Sequence, residues 1–510
     1  MGLYSGGIRL VKKACKILRY GGSFSSKPIH IGGKVMSAKF QEKQGYLPDE
    51  TPSTGKLLLY ALQQVIVMFP ATITVALITG FQVSTTIFAS GLATLCFILI
   101  TKRRIPLYYG SSFAYLSAVF AMAVAEGTEE QIALWNATGV LPAEIISKAQ
   151  FGIIMSGFVS IAAGLIVKRF GAEKVEKFLP ASITGSVSMV IGLTLAGNAM
   201  SDFLGIGGNV NGLDVVQGSP VATAWLIVGI VTFLSTCIYS RYLKGLLSQL
   251  PLLLGVLTGC VVSALFYFVG GINLFRAVPA EALAASTFKL GDGSIFALPA
   301  FTLPKFSMNA LVGIMPIAIA TIPESTAHMY QLDIYVNDVA KEKGKGHYDL
   351  VSLLGENLVG DGLCDMISGF VGGPAGTNYG ENISLMAITR VFSVPVLVVA
   401  SIIAMVVSCF TPLIQVIYGI PLAVIGGIEV YCFGAIAAQG IAILIDKGVS
   451  MFDSKNIAVI ALVCIVGLGG QYAFGGNIPF FNMMIPCVAG AALSGIILNL
   501  ILTLGDKTQA

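Results

Sequence analysis

Four ionisable side chains stand where an apolar chain has little reason to keep them. Glu381 lies in GGPAGTNYGENISLMAITR, residues 372–390, whose glycines and proline cannot make a continuous helix. Glu324 follows Pro323 in GIMPIAIATIPESTAHMYQL, and His328, four residues on, shares its helix face. Glu429 sits in GGIEVYCFG, either as a packing oddity or facing a wet crevice. A charge at the bilayer centre costs at least ~2.5 kcal/mol, so acids kept there point to function. The run from Tyr379 onward reads as a helix start, and Glu381 falls in its first turn, where free amide hydrogens and the helix dipole favour a carboxylate. Phe113, Tyr115 and Tyr379 are aromatics near the suspected break, packing residues unless the fold brings them against Glu324 and Glu381. A carboxyl withdrawn from water also exchanges protons readily with the medium, which gives Glu324 and His328 a proton-carrying role.

The elements that must position these groups are membrane spans. Of 510 residues, 55% are hydrophobic and only 11% charged, against roughly 25% charged in an average soluble domain. Apolar segments near spanning length recur at 56–80, 82–100, 106–125, 149–168, 177–200, 220–239, 246–271, 307–331, 356–373, 378–391, 393–411, 417–445, 456–475 and 482–504. The reading is an all-α polytopic membrane protein with fourteen segments, the third and tenth being the least regular. Asp361 and Asp365, at the opening of the ninth, are expected near the interface.

Charge placement orients the chain. With the amino terminus inside, 26 of the 30 Lys and Arg fall in inside segments, and only Lys148, Arg276, Lys289 and Lys305 fall outside, which puts both termini in the cytoplasm. Residues 1–55 read as a basic cytoplasmic tail, with Met36 a second candidate start, and no cleavable signal precedes the first span. The three histidines are too dispersed for a metal cluster, and the nine cysteines include no Cys-x-x-Cys pair. No hydrolase elbow, phosphate-gripping loop or zinc motif is present, so an enzyme is disfavoured and no metal or cofactor is expected.

An internal echo adds topology. LPASITG at 179–185 matches IPLAVIG at 420–426, and YYGSS at 108–112 matches NYGEN at 378–382. The pairs are offset by seven spans, an odd number, so the second copy is inverted. Inverted repeats with interrupted helices mark secondary transporters that hold substrate near the midplane.

These residues carry a family resemblance from about 56 to 504. The chain resembles the nucleobase/ascorbate transporter family, and within it the uracil permease type. The family signature, an acid or amide followed by Asn-x-Gly, four residues and Thr, is similar to Glu381-Asn382-Ile383-Ser384 through Thr389-Arg390, with Ser384 replacing glycine. ENLVGDGL, YYGSSFAYL and PESTAHM also fit. The resemblance implies two inverted seven-helix repeats with short extended breaks in spans three and ten. It implies a core domain (56–170 and 307–411), a gate domain (177–271 and 417–504) and an extracellular loop (272–306). Uracil is expected between the breaks, held by Glu324 and Glu381 and lined by Phe113, Tyr379 and Gly380. His328 and Glu429 join Glu324 in the expected proton network, with the proton as coupling ion. The implied protein is a homodimeric, multi-pass, proton-coupled transporter of the plasma (inner) membrane, with no nucleic-acid partner, in which the core slides against the gate. A purine permease of the same family is the alternative, and an anion transporter of related architecture or a channel is a remote one. Three departures stand out: Gln64 where histidine is usual, Glu429 for a small residue, and Phe433 for tyrosine.

Overall fold

A computed structural model describes residues 45–506 except 172–178, 211–212, 278–293 and 481–482. Most of the cytoplasmic tail read from the sequence, and the middle of the expected 272–306 loop, lie outside the described residues. The chain is predominantly helical. Among the described residues nine helices are long and apolar enough to cross a membrane, fewer than the fourteen segments expected. The shortfall has identifiable causes. The third segment opens as strand β1 (Tyr109–Ser111) before helix α3 (Leu116–Glu126), and the tenth opens as β2 (Gly376–Asn378) before the ten-residue α13 (Gly380–Thr389). The eleventh is only fifteen residues of helix, α14 (Val394–Ser408), after which the chain restarts as the short α15 (Thr411–Tyr418) with Pro412 in its first turn.

The remaining helices, in chain order, are α1 (Thr54–Thr79), α2 (Val83–Ile100), α4 (Glu129–Thr138), α5 (Ala143–Phe170), α6 (Ala181–Thr194), α7 (Ala196–Leu204), α8 (Pro220–Tyr242), α9 (Pro251–Gly270), α10 (Met308–Ile314), α11 (Ala318–Glu342), α12 (Leu354–Val371), α16 (Leu422–Asp446), α17 (Ser454–Phe474) and α18 (Cys487–Asp506). Helix α5 begins at 143 rather than 149, and α10 runs through a tight turn at Met315–Ile317 into α11, so the eighth segment extends to 342. Residues 45–53, expected in the tail, are packed instead. Leu47 is fully buried, and Tyr46 N–H donates to the Arg390 carbonyl (2.8 Å) while its own carbonyl accepts from Phe392 N–H (2.8 Å). The described ends of 272–306 lie along α2 and α5, with Thr85 Oγ1 donating to the Ala300 carbonyl (2.8 Å) and Gln150 Nε2 to that of Thr302 (2.7 Å).

Helix partners sort by face. Helix α5 packs on α12, α2 on α14 and α12, and α1 on α14; separately, α16 packs on α6, α7 and α8, α17 on α6 and α18, and α8 on α9. Small residues let the backbones close in, since a bilayer supplies no hydrophobic force between helices and van der Waals contact must do the work. A Cβ on Gly157 would come within 2.4 Å of the Gly362 carbonyl oxygen, and one on Gly362 within 2.3 Å of that of Gly157. Helices α5 and α12 therefore touch backbone to backbone. Replacing Gly362 by alanine forces them apart and is expected to cost about 1–3 kcal/mol, the usual range for overpacking. A lowered melting temperature of Gly362→Ala in detergent checks this; an unchanged one contradicts the contact.

Candidate functional site

The site is built where the two short strands meet. β1 and β2 pair antiparallel, Tyr109 opposite Asn378, Gly110 opposite Thr377 and Ser111 opposite Gly376. Backbone that leaves the helix inside an apolar protein must find its partners in protein, and this pairing supplies them. Side chains complete the set: Ser90 and Thr94 hydroxyls donate to the Tyr109 carbonyl (2.8 and 3.0 Å), and Tyr109 N–H donates to Thr94 Oγ1 (3.0 Å). The approach is too close for side chains at the crossing. A Cβ on Gly376 would lie 2.3 Å from the Gly110 carbonyl oxygen, and one on Gly110 would lie 2.3 Å from the Tyr379 ring.

Each strand delivers a helix start to one cavity of about 780 Å³. Phe113 and Ala114 line it after β1; Tyr379, Gly380 and Glu381 line it after β2; Glu324 and His328 line it from α11. Thus six of the residues expected from the sequence, Glu324, His328, Glu381, Phe113, Tyr379 and Gly380, share one space. Glu324 and Glu381 interact electrostatically, and Glu381 stands in the first turn of α13. Pro323 has no N–H to donate, so α11 is open one residue before Glu324. His328 Nε2 lies 3.0 Å from where a Cβ on Gly380 would stand, so glycine there admits the imidazole. Tyr379 is held firmly: its hydroxyl donates to the Ser111 carbonyl (3.0 Å) and shares a hydrogen bond with Thr72 (3.0 Å). The lining also includes Gln249, Gln331 and Asp446.

Two expected residues stand elsewhere. Tyr115 is buried and is not among the cavity's lining. Glu429 lies on α16 facing a different cavity, together with Phe433 and Asp202. Gln64, at the position of the usual histidine, is buried and accepts from Asn382 Nδ2 at its side-chain oxygen (2.7 Å) and its carbonyl (3.0 Å), which ties α1 to α13.

Asp361 and Asp365 correct an expectation. They are not at the interface but within α12, 6% and 2% exposed. Asp361 accepts from Ser325 Oγ and from Asn378 Nδ2 (3.2 Å); Asn378 also donates to Asn357 Oδ1 (3.0 Å), and Asn357 Nδ2 to Ser325 Oγ (2.7 Å). Asp365 accepts from the Tyr109 hydroxyl and from Gly376 N–H (2.9 Å), one donor from each strand. The two acids lie behind the crossing and hold it. The available signal was spacing: Asn357, Asp361 and Asp365 recur every four residues, a polar stripe along one helix face.

Comparison with known proteins follows the geometry. Residues 55–476 match the model of the Permease family. The chain is 32% identical to a uracil permease of Bacillus caldolyticus over 455 residues, covering 89% of this chain and 93% of that protein. It is 31% identical to a uracil permease of Bacillus subtilis, covering 90% and 96%, and 30% identical to the putative pyrimidine permease RutG of Escherichia coli, covering 89% and 91%. These relatives are permeases, not enzymes. Among solved structures, the transmembrane domain of a cyanobacterial bicarbonate transporter, BicA, superposes with a TM-score of 0.52 at 15% identity, covering 88% of this chain and 97% of that one. The murine anion transporter Slc26a9 in its inward-facing state gives 0.59 at 13%, covering 98% and 75%. At these identities the likeness is one of fold alone.

Replacing Asp365 by alanine strands the Tyr109 and Gly376 donors, each at about 1–3 kcal/mol. Asp365→Ala is expected to melt well below the parent protein and Asp365→Asn, which keeps an acceptor, to fall between; equal melting temperatures for all three contradict the bracing role.

Proposed function

The chain belongs to the Permease family, and on that premise we propose that it is a secondary active transporter that takes uracil across the plasma membrane with protons. The observation that carries this reading is the convergence of Glu324, His328, Glu381 and Tyr379 on one cavity beside two paired strands. The names of its relatives support the substrate.

Uracil offers two ring N–H donors and two carbonyl acceptors on a flat, neutral frame. In the proposed pose Glu381 and Glu324 accept from the ring N–H groups, and the free amide hydrogens at the start of α13, from Gly380 onward, reach a carbonyl. Phe113 and Tyr379 cover the ring faces. Glu324 and His328, one helical turn apart on α11, carry the coupling proton, while Glu381 mainly reads the base. Occupation by the neutral base then changes the acids' surroundings, and access alternates as the core moves against the gate.

The packing supports that division of labour. Helices α1, α2, α5, α12 and α14 pack mainly among themselves, and α6–α9 with α16–α18 form the other set, as the core and gate boundaries require. The lining of the base cavity extends to Asp446, at an end that the Lys and Arg distribution assigns to the cytoplasm together with both termini. Homodimer formation completes the family pattern.

Removing Glu381 deletes hydrogen bonds to a charged acceptor, worth about 1.5–3 kcal/mol. Glu381→Ala is expected to weaken uracil binding by roughly 10- to 150-fold. Glu324→Gln is expected to exchange uracil yet fail to concentrate it in proteoliposomes under an inward proton gradient. Concentrative, pH-dependent uptake by Glu324→Gln contradicts the proton role, and strong competition by xanthine or urate over uracil points to a purine permease instead.

A further inference from the structure

Helix α16 serves two cavities. Its carboxyl-terminal half, from Tyr431 to Asp446, lines the base cavity; its amino-terminal half, from Leu422 to Phe433, lines a second cavity of about 390 Å³. Two carboxyl groups line this second space, Glu429 from α16 and Asp202 from α7, and their side chains lie within interaction range of each other. Glu429 lines the cavity yet is only 3% exposed, and its buried Oε2 has no hydrogen-bond partner. The helices that carry the acids are locked together: a Cβ on Gly426 would lie 2.6 Å from the Asp202 carbonyl carbon, and Trp225 Nε1 from α8 donates to the Asp202 carbonyl oxygen (2.7 Å).

The neighbouring charges are few. Arg276 interacts with Asp202 and with Tyr418. It is anchored by Nη2 to the Thr138 carbonyl (2.6 Å) and by its backbone N–H to the Gly419 carbonyl (3.2 Å), while Nη1 has no partner. Cys432 on α16 lies within electrostatic reach of Glu429, and Cys487 lines the same cavity. The other polar groups there include the amides of Asn136, Asn198 and Gln471, which are neutral.

Charge counting then decides the state of the site. Two carboxylates against one guanidinium leave one negative charge, and an uncompensated charge out of water costs several kcal/mol. Two ionised carboxylates side by side repel and can only accept, so one proton between them supplies the missing donor and removes the repulsion. We propose that Asp202 and Glu429 form a separate proton-binding site that holds one shared proton and exchanges it with the membrane face toward which the lining extends at Asn136 and Gly475, away from the Asp446 end of the base cavity. Arg276 sets the occupancy at one by neutralising the second charge. A metal ion is disfavoured by that guanidinium, and no cluster of three or more His, Cys, Asp or Glu side chains suited to a metal occurs among the described residues.

The proposal uses the transport reading only for its flux consequence; the proton itself is read without uracil. Infrared difference titration of the protein in lipid is expected to show a protonated-carboxyl band, shifted in deuterated water, that is lost in Glu429→Gln and in Asp202→Asn and retained in Glu324→Gln. A band that survives both outer substitutions, or that sodium abolishes at fixed pH, overturns the proposal. Labelling of the unaltered protein by a hydrophobic carbodiimide, mapped by mass spectrometry, covers the case in which a variant does not fold. Adduct on Glu429 or Asp202 that falls as pH rises is expected, and no adduct on either overturns the site. A chain that moves no uracil leaves both readouts intact and counts against the transport reading alone.

Discussion

Backbone that leaves its helix inside an apolar protein must be satisfied by protein, and this constraint organises the molecule. Tyr109–Ser111 and Gly376–Asn378 satisfy each other by pairing antiparallel, with Thr94, Ser90 and Asp365 taking up the remaining groups. The pairing is also what makes a site. It ends both strands at helix starts that line one cavity, and it brings Phe113 of one segment beside Tyr379 and Glu381 of another.

Acids occupy two layers around that crossing. In front, Glu324 and Glu381 border the cavity; behind, Asp361 and Asp365 are enclosed by hydroxyl, amide and backbone donors. The rear layer holds the strands in register, and the front layer remains open to a ligand. The close backbone contact of α5 with α12 supports the rear layer from outside, since α12 carries both aspartates. A third pair, Asp202 with Glu429, lies at the other end of α16 and belongs to neither layer.

Much of this was legible in the sequence. The helix-breaking glycines and proline at 372–376 marked β2, and the charge-poor runs marked most helices to within a few residues. Glu324, His328 and Glu381 stood out because charge in an apolar run is costly. What escaped has a physical explanation. Hydropathy marks fourteen segments, but it does not register that a span is half strand, as at Tyr109, or that a helix stops short of a full span, as α14 does at Ser408. Asp361 and Asp365 were assigned to the interface because a segment boundary lies near them, and their burial depends on Ser325, Asn378 and Tyr109, which are distant in sequence. Glu429 was grouped with the other acids by its setting in a span, although its partner is Asp202 and its cavity a different one.

The central claim is that the paired strands present Glu324 and Glu381 to a uracil molecule. The direct measurement is a crystal structure with 5-bromouracil, read at the bromine absorption edge. The account predicts one anomalous peak in the cavity between Glu324, Glu381, Phe113 and Tyr379. A peak only in the cavity of Asp202 and Glu429, or none within the protein under saturating ligand, contradicts it.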